Sequence, residues 1–235
     1  MPLFGLFIDP MYLIIMIPGF LLAAWSSFKV KSAFSTYRQI RSSQGLTGAE
    51  VARKILQRNG IFDVQIEETA GQLSDHYDPA TKTVRLSSSV YHEPSIASVA
   101  IASHEVGHAL QHAKGYAPLS LRTAAVPVAR FGSYAPWIIL AGGFILHSTS
   151  AIYLGVILFL GTVIFQLITL PVEFNASSRA KEQLVAMNLV NRQDAEGITS
   201  VLSAAAMTYV AAAVSAIMTL IYYLIRLGLL GGNDD

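Results

Sequence analysis

A chain of 235 residues that is 53% hydrophobic and only 13% charged, with a mean hydropathy of +0.48, falls well short of the roughly one-quarter charged residues of a soluble domain. That excludes an ordinary soluble globular protein and points to an integral membrane protein of mainly α class. The absence of cysteine rules out a disulfide framework and a thiolate metal site, and the net charge of +1 hides a strong asymmetry along the chain.

Residues 11–27 form an apolar run about long enough to span a bilayer core, interrupted by Pro18-Gly19. No Lys or Arg precedes it, while Lys29 and Lys31 follow at once. It therefore reads as an uncleaved anchor with a short outer N-terminus, not as a cleavable signal. Residues 30–43 interleave Lys31, Arg38 and Arg41 with Phe34 and Tyr37. They fit a basic helix lying on a membrane surface or leading away from it, and fit an ordinary solvated helix face equally well.

From Gly45 the pattern becomes that of a small α+β unit. Thr47 with Glu50 three residues on forms a capping box, Asn59-Gly60 closes that helix, and Val51, Ile55 and Leu56 make its buried stripe. Residues 61–66 read as a strand, 75–82 as a turn and 83–86 as a second strand. Pro94-Ser95 opens the next helix and Lys114-Gly115 ends it.

Two apolar spans, 128–146 and 151–170, then form a hairpin about a turn at 147–150. A polar helical stretch reaches to about Ser200. Residues 202–224 make a last, alanine-rich span suited to close helix contacts, ahead of a short polar tail at 231–235. No internal repeat is present. The chain thus divides into an N-terminal anchor (1–28), a cytoplasmic α+β segment (29–125), a transmembrane hairpin (126–171), a cytoplasmic helix (172–201) and a C-terminal span with its tail (202–235). With four spans, fifteen of the sixteen Lys and Arg fall on one side and only Arg226 on the other. The positive-inside rule makes the basic side cytoplasmic, with both termini outside.

The chemistry concentrates at 103–112, SHEVGHALQH, where His104-Glu105-Val106-Gly107-His108 matches H-E-x-x-H. Residues four apart share one helix face, so His104 and His108 can direct their rings at one ion. Glu105 lies too near His104 to share that ion comfortably, but it reaches a water bound to it. Two ligands and one general base form the metallopeptidase arrangement. Chance histidines on a helix surface are the alternative. The apolar flank at 96–102 argues against chance, because polar groups there are costly without partners.

A catalytic zinc needs a third protein ligand. In a continuous helix His112 lies about 12 Å along the axis from His104, so one ion cannot reach both. A metzincin-type turn would need a glycine where Gln111 stands. Glu173, an acid at the cytoplasmic end of an apolar span, is the better candidate, and the topology puts it on the same side as the histidines.

HEVGHALQH, followed by two spans and PVEFNAS, resembles the YugP-type membrane zinc metallopeptidases. HYDPATKTVRLS before the motif helix and AAAMTYVAAA in the last span extend the likeness over essentially the whole chain. More distantly it is similar to the HtpX and CAAX-protease gluzincins. The resemblance implies a zinc metalloendopeptidase with one Zn2+ per chain, ligands His104, His108 and Glu173, and Glu105 as general base. The wider group carries E-F/Y-x-A-D, and Ser177 stands here in place of that Asp. Ser177 or Asn175 is then the candidate partner for a ligand histidine. His112, Arg179 and Tyr209 are candidate oxyanion donors; the alternatives are a snorkelling cation for Arg179 and helix packing for Tyr209. The strand Thr83, Val84, Arg85 and Leu86 is the candidate edge for pairing with extended substrate, whereas His76 and Asp78 read as turn chemistry.

A site-two-type intramembrane protease would need an acidic ligand in an N-P-D-G or L-D-G context within a later span, and neither sequence is present. A zinc-bearing scaffold without chemistry has no need of Glu105. The expected setting is the bacterial plasma membrane with the active site on the cytoplasmic side. The expected partners are a polypeptide substrate, membrane proteins among them, and the lipid bilayer, with no nucleic acid. The alanine-rich last span suits a homo-oligomer as readily as packing within one chain.

Overall fold

The computed structural model describes residues 10–132 and 134–229; the expected tail at 231–235 and the first nine residues of the expected anchor lie outside them. The described chain is mainly helical, with one three-stranded sheet. Four stretches are long and apolar enough to cross a membrane: Pro10–Arg38, Ala117–Ile145, Thr149–Ala186 and Arg192–Arg226. The chain forms two compact units, one of Ser26–Ser120 with Pro171–Met207, the other of the described parts of 1–25, 121–170 and 208–235.

The first unit holds a single large core. Helix α1, Pro10–Arg38, enters it with its last turns. Phe34 is buried there and Tyr37 packs beside it, while Arg38 pairs with Glu93 at 2.5 Å. The basic segment beginning at 30 is thus the end of one continuous helix that packs into a core, and no separate surface helix forms. Helix α2, Gly48–Arg58, begins at the expected Thr47–Glu50 capping box and buries Val51, Ile55 and Leu56. Gly60, at φ +68°, turns the chain away from its end, a conformation glycine adopts at no steric cost.

The sheet comprises β1 (Gln65–Thr69), β2 (His76–Asp78) and β3 (Thr83–Ser87), in the order β1–β3–β2. Strand β3 pairs in parallel with β1 and antiparallel with β2. Two expectations are corrected here. The first strand starts at Gln65, not at 61. More important, Thr83, Val84, Arg85 and Leu86 lie in the central strand. The whole strand is matched to β1, and Thr83, Val84 and Arg85 face Asp78, Tyr77 and His76 on the other side. A substrate cannot add to a strand whose ladder is taken up on both sides. The free edges are the outer sides of β1 and β2. Val84 and Leu86 are fully buried, as a central strand covered on its faces requires.

A short helix, α3 (Ser88–His92), leads to α4, Ile96–Ala113, capped by the Ser95 hydroxyl accepting from the Ser98 N–H. The α4 helix is buried along most of its length and carries the H-E-x-x-H residues.

In the second unit α5 (Ala117–Gly132) and α6 (Ala135–Ile145) lie on either side of residue 133. Helix α7, Thr149–Ala186, runs unbroken through Pro171, and α8, Arg192–Arg226, follows. The polar stretch expected to continue to Ser200 is interrupted at Asn188, which takes the left-handed conformation at φ +51°, one that Asn tolerates better than most residues. Within this unit Tyr12, Tyr222, Tyr223, Trp137 and Phe159 stack edge to face. Ile14, Leu21, Ile138 and Ile157 remain exposed, a larger apolar surface than soluble monomers show. The alanines of the last span, Ala211, Ala213 and Ala216, are buried within the chain.

The start of α8 is tied into the first unit by Asp194, 4% exposed. Its carboxylate accepts from the Ser43 N–H at 2.9 Å, from the Ser43 hydroxyl and from the Asn191 N–H, and its own N–H donates to Asn191 Oδ1 at 2.8 Å. Asp194→Ala leaves buried donors without an acceptor and is expected to lower stability by about 2 kcal/mol, read as a lower unfolding midpoint in detergent.

Candidate metal centre

The apolar residues of α4 (Ala97, Val99, Ala100, Ala102, Val106, Ala109 and Leu110) belong to the core. His104, Glu105, His108 and Gln111 interrupt that pattern, and all but the half-buried His104 are buried. Burying such groups costs several kcal/mol unless they are hydrogen-bonded. The 171–186 part of α7 supplies partners to His104, His108 and Gln111, and one glycine lets the two helices come close enough to meet. A Cβ on Gly107 would stand 2.4 Å from the Ala176 carbonyl oxygen, closer than real contacts allow. A mid-helix glycine costs about 1 kcal/mol relative to alanine. Here it admits the α7 backbone.

At this crossing the Nε2 atoms of His104 and His108 lie 3.2 and 3.6 Å from the same Glu173 oxygen, Oε2. The rings stand at 84° with centroids 4.8 Å apart. One ligand atom from each of the three residues falls within 4.8 Å of the others. A tetrahedral zinc with arms of about 2.0–2.1 Å has edges of about 3.3 Å between ligand atoms, which is the spacing found between each imidazole and the carboxylate. Two imidazoles and a carboxylate, with no thiolate in the chain, form a donor set suited to zinc. The three residues can hold such an ion.

The far side of each ring is also engaged. His104 Nδ1 is 3.1 Å from the Ser177 hydroxyl. His108 Nδ1 is 3.0 Å from Gln111 Oε1. The Gln111 amide nitrogen donates to the Val172 carbonyl at 2.8 Å and to Asn175 Oδ1 at 3.0 Å. Asn175 therefore meets Gln111, not a ligand histidine, and it also accepts from Arg179 Nε at 2.7 Å. Arg179 lies over the Tyr116 ring, 5.7 Å from its centroid. His112 Nδ1 is 2.8 Å from the Tyr77 hydroxyl, which links β2 to the motif helix. His76 and Asp78 lie in strand β2; His76 meets the Ser74 carbonyl, and Asp78 accepts from the Ala80 N–H and the Thr81 hydroxyl of the turn that follows. Tyr209 lies on α8 within the other unit.

Sequence reasoning passed over two of these positions. Gly107 carried a signal, as a glycine inside an otherwise good helix. Gln111 carried a weaker one, its spacing of three from His108, which places both side chains on one face.

Glu105 accepts no side-chain hydrogen bond among the described residues. Burial pushes its carboxyl up to about 7; His104 opposes the shift, while Glu173 and Asp75 add to it.

The family model described as "putative neutral zinc metallopeptidase" matches residues 12–228. A relative described as "Putative membrane protease YugP", from Bacillus subtilis (strain 168), is 49% identical over 214 residues, covering 91% of this chain and 94% of its own. No solved structure matches the chain.

The burial of Glu105 makes a test that needs no substrate. A carboxyl ordinarily at 4.5 and raised to about 7 in the fold binds more protons folded than unfolded between those values. Metal-free protein therefore loses stability as pH rises through that window, and the full cost stands above about 7. Glu105→Gln removes the ionisation. At pH 8 the metal-free variant is expected to unfold later than wild type, by up to about 3 kcal/mol, and the gap should close as pH falls to 5. Equal unfolding midpoints at pH 8 would contradict the assignment.

Proposed function

The chain belongs to the family described as "putative neutral zinc metallopeptidase", and we propose that it is a membrane-embedded zinc metalloendopeptidase that cleaves polypeptides at the cytoplasmic face of a bacterial plasma membrane. The observation that carries this reading is the convergence of two imidazole nitrogens on one Glu173 oxygen, with the buried Glu105 carboxyl beside His104 on the same helix. The membrane setting is supported by the four apolar helices and by the "membrane protease" in the relative's description. The cytoplasmic face follows from fifteen of sixteen basic residues falling on one side of four spans.

His104, His108 and Glu173 would hold one zinc per chain. Zinc bound there would supply Lewis acidity, polarising a carbonyl and lowering the pKa of a water to about 7. Glu105 would accept a proton from the attacking water and pass it to the leaving amine. Arg179, fastened at Nε by Asn175, offers its terminal nitrogens to the developing oxyanion. His112 offers Nε2 while Tyr77 engages its Nδ1. With β3 enclosed, extended substrate pairs with the outer edge of β2, the edge strand tied to the motif helix through Tyr77 and His112. The substrates are polypeptides, membrane proteins included.

Glu105→Gln should leave zinc content unchanged while slowing cleavage of an unfolded protein such as casein, in detergent or proteoliposomes, by about 10²–10⁴-fold. Full turnover by the variant would sink the mechanism. Wild-type protein that holds zinc yet cleaves nothing would instead make the centre structural.

A further inference from the structure

We propose that Gln111 is the positioning residue of this centre, setting the proton of one ligand and the placement of another through a single amide. The inference rests on the metal reading above. Gln111 is fully buried, and its three hydrogen bonds leave its amide one sensible orientation. The Val172 carbonyl and Asn175 Oδ1 accept only, so the group facing them is the NH2 and the group facing His108 is Oε1. An amide oxygen cannot donate. His108 must then carry its proton on Nδ1, which leaves the Nε2 lone pair on the side of Glu173. The same NH2 holds the carbonyl of Val172, the residue immediately before Glu173. One side chain on α4 thus orients its own helix's ligand and fastens the backbone that presents the ligand from α7.

The other histidine has no such device. His104 Nδ1 meets a serine hydroxyl, which can donate or accept and so leaves the tautomer open. The burden of defining the donor set falls on Gln111. Asn175 steadies its amide and is itself held by Arg179.

The test measures zinc affinity of the full-length protein in detergent by chelator competition, without any substrate. Gln111→Leu removes all three bonds and is expected to weaken zinc binding by about 10–100-fold. Gln111→Glu still offers an oxygen to the His108 Nδ1 proton and is expected to recover most of that loss. A merely structural role would weaken both variants alike, in step with their metal-free unfolding midpoints. Wild-type affinity in Gln111→Leu, or equal losses in the two variants, overturns the proposal. Should Gln111→Leu fail to fold, Asn175→Leu removes one anchor of the amide, together with the acceptor of Arg179 Nε, and leaves the bond to His108 in place. It is expected to weaken binding several-fold, and unchanged affinity there would likewise overturn the proposal. Wild-type protein that binds no zinc brings down the metallopeptidase reading itself, whereas tight binding that is indifferent to Gln111 brings down this role alone.

Discussion

The centre depends on how closely two helix backbones approach. Where Gly107 meets the Ala176 carbonyl, any side chain on α4 would hold α7 away, and Glu173 could not meet both histidines. Glycine at this point weakens the helix by about 1 kcal/mol, and the loss is recovered in packing because both helices contribute to the same buried cluster, with Ala109 and Leu110 on one and Ala180 and Leu184 on the other. The H-E-x-x-H pattern leaves its third and fourth positions open, but in this fold the fourth is constrained as tightly as a ligand.

The far nitrogens of the two rings meet neutral partners, Ser177 and Gln111. A divalent ion at His104, His108 and Glu173 would be offset by the Glu173 and Glu105 carboxylates, and a buried group of charges is tolerable only when it is nearly compensated. The raised Glu105 carboxyl owes most to burial, with Glu173 and Asp75 adding to it against His104.

What the residues disclosed in advance follows the range of the forces involved. The His104–His108 pair was legible because a helix fixes neighbours four apart, and the caps at Thr47 and Ser95 because they are satisfied within three residues. Glu173 could be singled out as an acid at the end of an apolar run, but its meeting with the histidines spans 69 positions and no local rule states it. Gln111 was read only as the absence of a glycine, since its value lies in an amide reaching a different helix. The sheet misled because β2 is only three residues, His76–Asp78, within a stretch rich in turn formers. Taken as a turn, it left β3 with an apparent free edge. The break at Asn188 had no signal beyond a single Asn.

The short edge strand bears on what such an enzyme would read in its substrate. On the proposed reading, an extended peptide pairs with β2, and three residues offer only one or two backbone pairs. Main-chain hydrogen bonds would then fix the direction of the peptide while contributing little to selection among sequences. β2 is held against the motif helix by Tyr77 and His112, and its register on β3 by Arg85, which contacts Asp78. The edge is therefore anchored although it is short. A short, anchored edge would favour segments that are already extended and unpaired over folded ones, because an extended segment surrenders less conformational entropy on docking. Selectivity would then lie in the unfolded state of the polypeptide more than in any one side chain.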